Sequence, residues 1–376
     1  MQVKAALQSN AALLCAVVIV QFALFEAGLR LKGGSEAAPE FQKLFMQDPV
    51  IGYRLKPGAT ARLRTADFDT PITINQAGVR DRDVGPKAPG ECRIVVLGDS
   101  LVMSVQVPVE ETFVARLERR LNASSRSPTT YRTINAGVQG YGPVEEYLFY
   151  REVASALRPD IVILALYPGN DAVEAASAAH RLREGQAARQ SEEDLSASQR
   201  FTQWRRLMIR KSIVLQVTRL RVTTVLDRFG WRPEIDPPLR TFLPEAPPEI
   251  TRGLAATRDA VSRLSALTRS QGARLVVVLL PARFQVDDGD YERLKAIVER
   301  SGQTLDRDRA TERFESALAG LDVPVLDALP PLRDAARRSE VFLQSTAHLT
   351  PFGHDTLATV LHDYLRSTLL AEGHER

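Results

Sequence analysis

Five short runs of nearly uninterrupted apolar residues mark the chain from residue 93 onward. They read RIVVLGDS from residue 93, YRTINAGV from 131, DIVILALYPGND from 160, ARLVVVLLP from 273 and VPVLDAL from 323. A strand with one wet face alternates apolar and polar side chains; a strand apolar throughout has both faces covered. Between the runs lie stretches with helical spacing. EETFVARLERRL (110–121) opens on acids that suit the positive end of a helix. PVEEYLFYREVASAL (143–157) opens on Pro143, which a first helical turn tolerates. Strands of this kind separated by helices restrict the chain to an α/β fold, a five-stranded parallel sheet covered on both faces. Such sheets bind ligands at the carboxyl ends of their strands, so a site belongs in the turns that follow the runs.

Charge narrows the partners. Lys and Arg number 49 against 46 Asp and Glu, a net +3. Nucleic-acid binding needs a focused basic face, so no nucleic-acid partner is expected. Cys15 lies in an apolar stretch and Cys92 just before a strand, too differently placed to suggest a disulfide. No metal-ligand cluster stands out, and no metal or cofactor is expected. His180 and His362 sit in helical contexts and read as surface residues.

The front of the chain divides into two pieces. AALLCAVVIVQFALFEAGL (11–29) is apolar apart from Gln21 and Glu26. As a helix of about 19 residues it spans roughly 28 Å, close to a bilayer core. Residues 1–32 therefore read as an uncleaved membrane anchor with the remainder extracytoplasmic, periplasmic or on the outer face of an inner membrane. A cleaved signal peptide ending near SEAAP is the second reading. Residues 33–89 read as a linker, through about residue 50, and then a short β-rich module in IGYRLKPGATARLRT and TPITINQAGVRDRD. The main domain then spans 90–370, with an insertion at about 172–250. Within it, QWRRLMIRKSIVLQVTRLRVTTVLDRFGW (203–231) interleaves basic with aliphatic residues. That pattern fits a surface helix packed on the sheet with a solvated basic face, or an amphipathic helix lying on an anionic membrane.

The chemistry is in the turns. Gly98-Asp99-Ser100 follows the first strand, where a hydroxyl is exposed beside free backbone N–H groups. Read plainly, the same tripeptide is a strand-to-helix turn with Asp99 or Ser100 as the cap. NAGVQGYG closes the second strand with glycines at 137, 140 and 142, and Asn170 follows Gly169 after the third. His348 stands in LQSTAHLTPFGHDTLA, before a helix-patterned tail.

VVLGDS, NAGVQGYG, YPGND and HLTPFGH resemble, in order, the four sequence blocks of the SGNH (GDSL-type) hydrolase superfamily. DPVIGYRLKPG and INQAGVRDRD are similar to the front part of its bacterial membrane-anchored members. The resemblance covers roughly residues 90–172 and 270–365. It implies a flavodoxin-like three-layer sandwich and ester chemistry on acylated glycans or lipids. By motif position it makes Ser100 the nucleophile and His348 the general base. The oxyanion hole would be the N–H groups of Ser100 and Gly140 with the Asn170 amide. The implied protein is a membrane-tethered serine esterase or O-acyltransferase of the cell envelope. The alternative is a non-catalytic relative that binds an acylated polymer or organises an envelope assembly.

Two departures accompany the match. Met103 and Ser104 stand where family members often carry glycine. The acid that precedes the family histidine by two or three residues is replaced by Thr346 and Ser345. A carboxylate there selects the imidazole tautomer and stabilises the imidazolium; without it a Ser-His dyad with a weaker orienter is expected. Asp327, Asp334 and Asp355 are candidates for a displaced acid.

Overall fold

The computed structural model describes Gln21 and residues 37–65, 67–125, 128–190, 235–344 and 346–370. The expected anchor (apart from Gln21), Cys15, the basic stretch 203–231 and Ser345 lie outside the described residues. No helix among the described residues is long and apolar enough to cross a membrane. Residues 37–186 and 235–376 form one compact unit, described below; of the other, only Gln21 and 187–190 are described.

The chain opens with α1 (Ala37–Gln42), then strands β1 (Phe45–Asp48), β2 (Gly52–Leu55), β3 (Thr60–Arg64) and β4 (Asp69–Thr73). These pair as two antiparallel hairpins, β1 with β2 and β3 with β4. The first begins inside the stretch that reads as linker. Its few apolar residues are enough because each is packed: Leu44 is fully buried. Phe41, Phe45, Tyr53, Tyr141 and Phe149 form a chain of edge-to-face ring contacts running into the main domain.

The five apolar runs form the parallel sheet: β5 (Glu91–Gly98), β6 (Thr130–Gly137), β7 (Ile161–Leu166), β8 (Arg274–Leu279) and β9 (Val325–Asp327). Their order is β6-β5-β7-β8-β9, the flavodoxin-like arrangement, with β7 central and the chain reversing direction at β5, between β6 and β7. Alternate residues of each strand enter separate cores. Val95 and Leu97 pack with α4 (Pro143–Glu152), α6 (Pro248–Ser270) and α9 (Arg309–Leu318). Ile94 and Val96 pack with α3 (Phe113–Ser124), α10 (Leu329–Ala336) and α11 (Pro351–Leu365). Three layers result. The helix expected over 143–157 stops at Glu152 and continues as a 3₁₀ turn, 154–157. Arg158, with φ of 56°, then turns the chain toward β7.

The edge strand β6 is covered by carboxylates. Asp81 accepts from Asn135 N–H at 2.8 Å and pairs with Arg132 at 2.9 Å, and Glu118 accepts from Thr133 N–H at 2.8 Å. An exposed edge would invite pairing with another chain, and these groups block it.

Candidate active site

Two glycines bring the turn after β5 close to the sheet. A Cβ on Gly98 would lie 2.3 Å from Val102 Cγ2, and one on Gly137 would lie 2.4 Å from Met103 N. Helix α2 (Ser100–Met103) therefore rests directly on the ends of β5 and β6. Asp99 caps it, accepting from Leu101 N–H at 2.8 Å, so the plain reading of that residue holds. Burial pushes the Asp99 carboxyl up to about 6. Ser100 is half-buried at the first position of α2.

After α2, Ser104 takes the left-handed conformation, φ 52°. That backbone region favours glycine, and here other groups hold the strained serine. Arg80 is 1% exposed and donates to the carbonyls of Met103 at 2.6 Å, Ser104 at 2.7 Å and Val107 at 2.7 Å. The Ser104 hydroxyl donates to Leu101 O at 2.5 Å.

The turn after β6 is seated on the front hairpin. Gly140 has φ of 74°, and a Cβ there would come within 2.9 Å of the Tyr53 hydroxyl. Tyr53 donates that hydroxyl to Gln139 O at 2.8 Å, and Tyr141 donates to Tyr53 O at 2.5 Å. After β7, Asn170 directs Nδ2 toward Asp99 Oδ2 at 3.5 Å and Glu174 Oε1 at 3.1 Å, in α5 (Asp171–Gln190). Ser100, Gly140 and Asn170 thus follow the ends of three neighbouring strands.

His348 comes from farther along the chain. It lies in a turn closed by bridge pairing of Phe342 with Leu349 and by Leu343 N–H donating to His348 O at 2.8 Å. Arg283 donates to Leu343 O at 3.2 Å and Gln344 O at 2.5 Å, and is held by Asp290 at 2.7 Å. Thr350 caps α11, accepting from Gly353 N–H at 3.0 Å. Both ring nitrogens of His348 are buried without a hydrogen-bond partner among the described residues, and so is Thr346 Oγ1. No hydrogen bond joins the ring to Ser100 or to Thr346. Burial alone pushes the His348 imidazole down to about 4.

Residues 244–376 match the family model of the SGNH hydrolase-like domain of acetyltransferase AlgX. Over those residues the chain is similar to that SGNH hydrolase-like domain. Among curated proteins none matches the chain in sequence. Solved structures similar to this chain include a catalytic mutant of Axe2, an acetylxylan esterase from Geobacillus stearothermophilus. It is 12% identical, covering 76% of this chain and 95% of that one, TM-score 0.40. A two-domain esterase active on acetylated mannans is 11% identical over 74% of this chain and 50% of that one, TM-score 0.41. A lipase/acylhydrolase from Enterococcus faecalis is 13% identical over 73% and 96%, TM-score 0.36. Likenesses this remote carry no weight beside the family match.

Each candidate for a displaced acid is engaged elsewhere. Asp355 pairs with Arg116 at 2.9 Å and Arg120 at 2.8 Å. Asp327 accepts from Leu329 N–H at 2.8 Å, and Asp334 lies 3.7 Å from Arg337 on the surface. None of the three bears electrostatically on His348, whose shift has desolvation as its one cause.

Several residues around these turns carry no local sequence signal. Arg80 and Tyr53 sit in the front module yet hold the turns after β5 and β6. His354 is fully buried, accepts from Phe113 N–H through Nδ1 at 3.2 Å, and stacks on Phe113 at 6.0 Å. Burial pushes it down to about 3, so it is neutral with its proton on Nε2 and seats α11 on α3. Around Asn170 lie four buried carboxyls, Asp99, Glu145, Glu146 and Asp171, and the half-buried Glu174. Among the described residues, no group of three or more His, Cys, Asp or Glu side chains is arranged to hold a metal ion.

Proposed function

We propose that the chain is a serine esterase or O-acyltransferase of the cell envelope, acting on ester-linked acyl groups of a glycan ahead of a lipid. The observation that carries this reading is the approach of Asn170 Nδ2 to Asp99 Oδ2, 3.5 Å, which brings the amide after β7 beside the Ser100 turn. Ser100 Oγ attacks the ester carbonyl and His348 takes its proton. The N–H groups of Ser100 and Gly140, with the Asn170 amide, hold the oxyanion. The alcohol leaves with the proton from His348, and water or a sugar hydroxyl then resolves the acyl-enzyme. Acetyl is the favoured acyl group, on the strength of the acetyltransferase family matched over residues 244–376. The stretch 11–29 supports tethering at a membrane, with the SGNH-like domain outside the cytoplasm.

His348 is neutral at physiological pH, so it is ready to accept a proton. Among the described residues no carboxylate bonds its ring, so the imidazolium formed on attack is stabilised less than in a full triad. The isolation of its ring nitrogens favours a second reading, a non-catalytic SGNH-like protein that binds an acylated polymer or organises an envelope assembly. A fluorophosphonate probe separates the two. The enzyme predicts labelling of wild type that Ser100→Ala abolishes. Absence of labelling of folded wild type, with polymer binding unchanged in Ser100→Ala, would establish the binder instead.

A further inference from the structure

Asn170 is followed one helical turn later by Glu174, and their side chains meet: Asn170 Nδ2 lies 3.1 Å from Glu174 Oε1. Asp99 Oδ2 takes the same nitrogen at 3.5 Å. The amide oxygen, Asn170 Oδ1, and the second carboxyl oxygen, Glu174 Oε2, are both buried with no hydrogen-bond partner among the described residues. A primary amide carries two donors on nitrogen and two acceptor positions on oxygen. In this orientation its donors go to carboxyl groups and its acceptor faces none. A half-turn about the Asn170 Cβ–Cγ bond exchanges the two ends. That orientation suits a protonated Glu174, whose O–H would donate to Asn170 Oδ1.

We propose that Glu174 is a positioning residue for the oxyanion amide. As a carboxylic acid it donates to Asn170 Oδ1 and leaves Nδ2–H free for the substrate carbonyl oxygen; as a carboxylate it holds Nδ2 away. This rests on the esterase or acyltransferase reading above. Glu174 is built into the other oxyanion turn as well, since a Cβ on Gly142 would lie 2.8 Å from Glu174 Cβ.

The surroundings favour the acid form. Facing Glu174 are Asp99 from the turn after β5, Glu145 and Glu146 from α4, Asp171 and Arg181 from α5, and the Tyr53 hydroxyl from β2. Arg181 is the cation of this set; it is mostly exposed and ion-paired to Glu145. Glu146 is 1% exposed and neither of its carboxyl oxygens has a partner among the described residues. Burial is the largest influence on Glu174; Asp99 and Glu145 add to it, the Asn170 hydrogen bond and then Arg181 oppose it, and the carboxyl is raised to about 8. The proton therefore leaves Glu174 as pH rises through about 8, and the amide is captured above that point.

The experiment follows the rate of fluorophosphonate labelling of the full-length chain from pH 6 to 9.5. The amide resonances of the Asn170 side chain, assigned by their loss in Asn170→Ser, are recorded over the same range. Wild type should lose labelling rate at least about ten-fold on the alkaline side, as expected when an oxyanion donor is withdrawn. The Asn170 resonances should move with the same midpoint. In Glu174→Gln a permanent N–H donor meets Asn170 Oδ1 at every pH. Its labelling rate should hold within about two-fold of its pH 7 value throughout, with static Asn170 resonances. An unchanged alkaline limb in Glu174→Gln would overturn the proposal. If wild type labels at no pH, the catalytic reading fails and the resonances decide alone. Movement in wild type that Glu174→Gln abolishes would uphold the Glu174–Asn170 exchange, and static resonances in wild type would refute it.

Discussion

Ser100, Gly140 and Asn170 follow strand ends that are tied down by side chains from other segments, whereas His348 stands on a turn closed at its neck. On the strand-end side, Arg80 fastens the carbonyls after α2 and Tyr53 fastens the turn at 139–141. Asp99 joins the Ser100 turn to Asn170. On the histidine side, the bonds run along the backbone at 342–350 and through Arg283, and none of them reaches the ring. A site gains precision when its groups sit on rigid elements with supporting hydrogen bonds. The strand-end half has that support, and the histidine half has rigidity of backbone without control of the imidazole. Damage to the first half should therefore appear as lost folding stability, and damage to the second as altered chemistry.

The sharpest way to break this contrast is to remove the working group from each half. His348→Ala should slow labelling of Ser100 by about a thousand-fold, within the range that a general base supplies, and leave urea unfolding at pH 7 nearly unchanged. Arg80→Met should do the reverse. It strips three buried carbonyls of their donor, at about 1 kcal/mol or more each, so unfolding in urea should show a loss of roughly 3 kcal/mol or greater. If Arg80→Met left stability intact while abolishing labelling, the two halves would not differ in the way described.

A smaller effect tests the missing orienter. Thr346→Asp places an acid two residues before His348, where relatives of the SGNH type have one. Labelling and ester turnover should hold or rise, by up to about ten-fold, since the new carboxylate can select the tautomer and stabilise the imidazolium. A strong loss would mean that another group already serves the ring.

Smallest is a change in acid stability. The His348 imidazole titrates near 4 in the folded protein against an ordinary 6.5. Below pH 6.5 the unfolded chain takes up a proton that the folded protein refuses until about pH 4, so stability falls across that window. His354 adds to the decline in the same direction, down to about 3. Thermal unfolding of His348→Ala should therefore lose less stability than wild type between pH 6.5 and 4, with a residual slope from His354. Equal slopes would place His348 in a wetter setting than its burial implies.

The sheet was legible because both its faces are covered, which leaves an apolar run that no surface element mimics. Its strand ends then pointed to the turns that hold Ser100, glycines 137, 140 and 142, and Asn170, and the family resemblance singled out Gly140 among those glycines. The support behind them was not legible. Arg80 reads as one more charge in VRDRD, because the three carbonyls that bury it lie 23 to 27 residues away and carry no side-chain signature. Glu174 reads as an acid near the start of a helix, and only the folded backbone sets it against both Asn170 and Gly142. The first hairpin hides in linker-like composition because its stability comes from ring contacts with distant Tyr141, and not from strand periodicity. For His348 the sequence offered the residue and noted the missing acid, and neither ring nitrogen has a hydrogen-bond partner among the described residues.

The clasp formed by Arg80 and Tyr53 bears on how the protein can be shortened. A version trimmed to start at residue 90, where the sheet begins, would keep every motif residue and lose both clasps. It would also uncover the outer edge of β6, since Asp81 leaves with them. Such a fragment should express as an aggregating, weakly reactive protein and could be mistaken for proof of inactivity. Truncations for assay or crystallisation should instead keep the chain from Ala37 onward, where α1 and the first hairpin complete the site from behind.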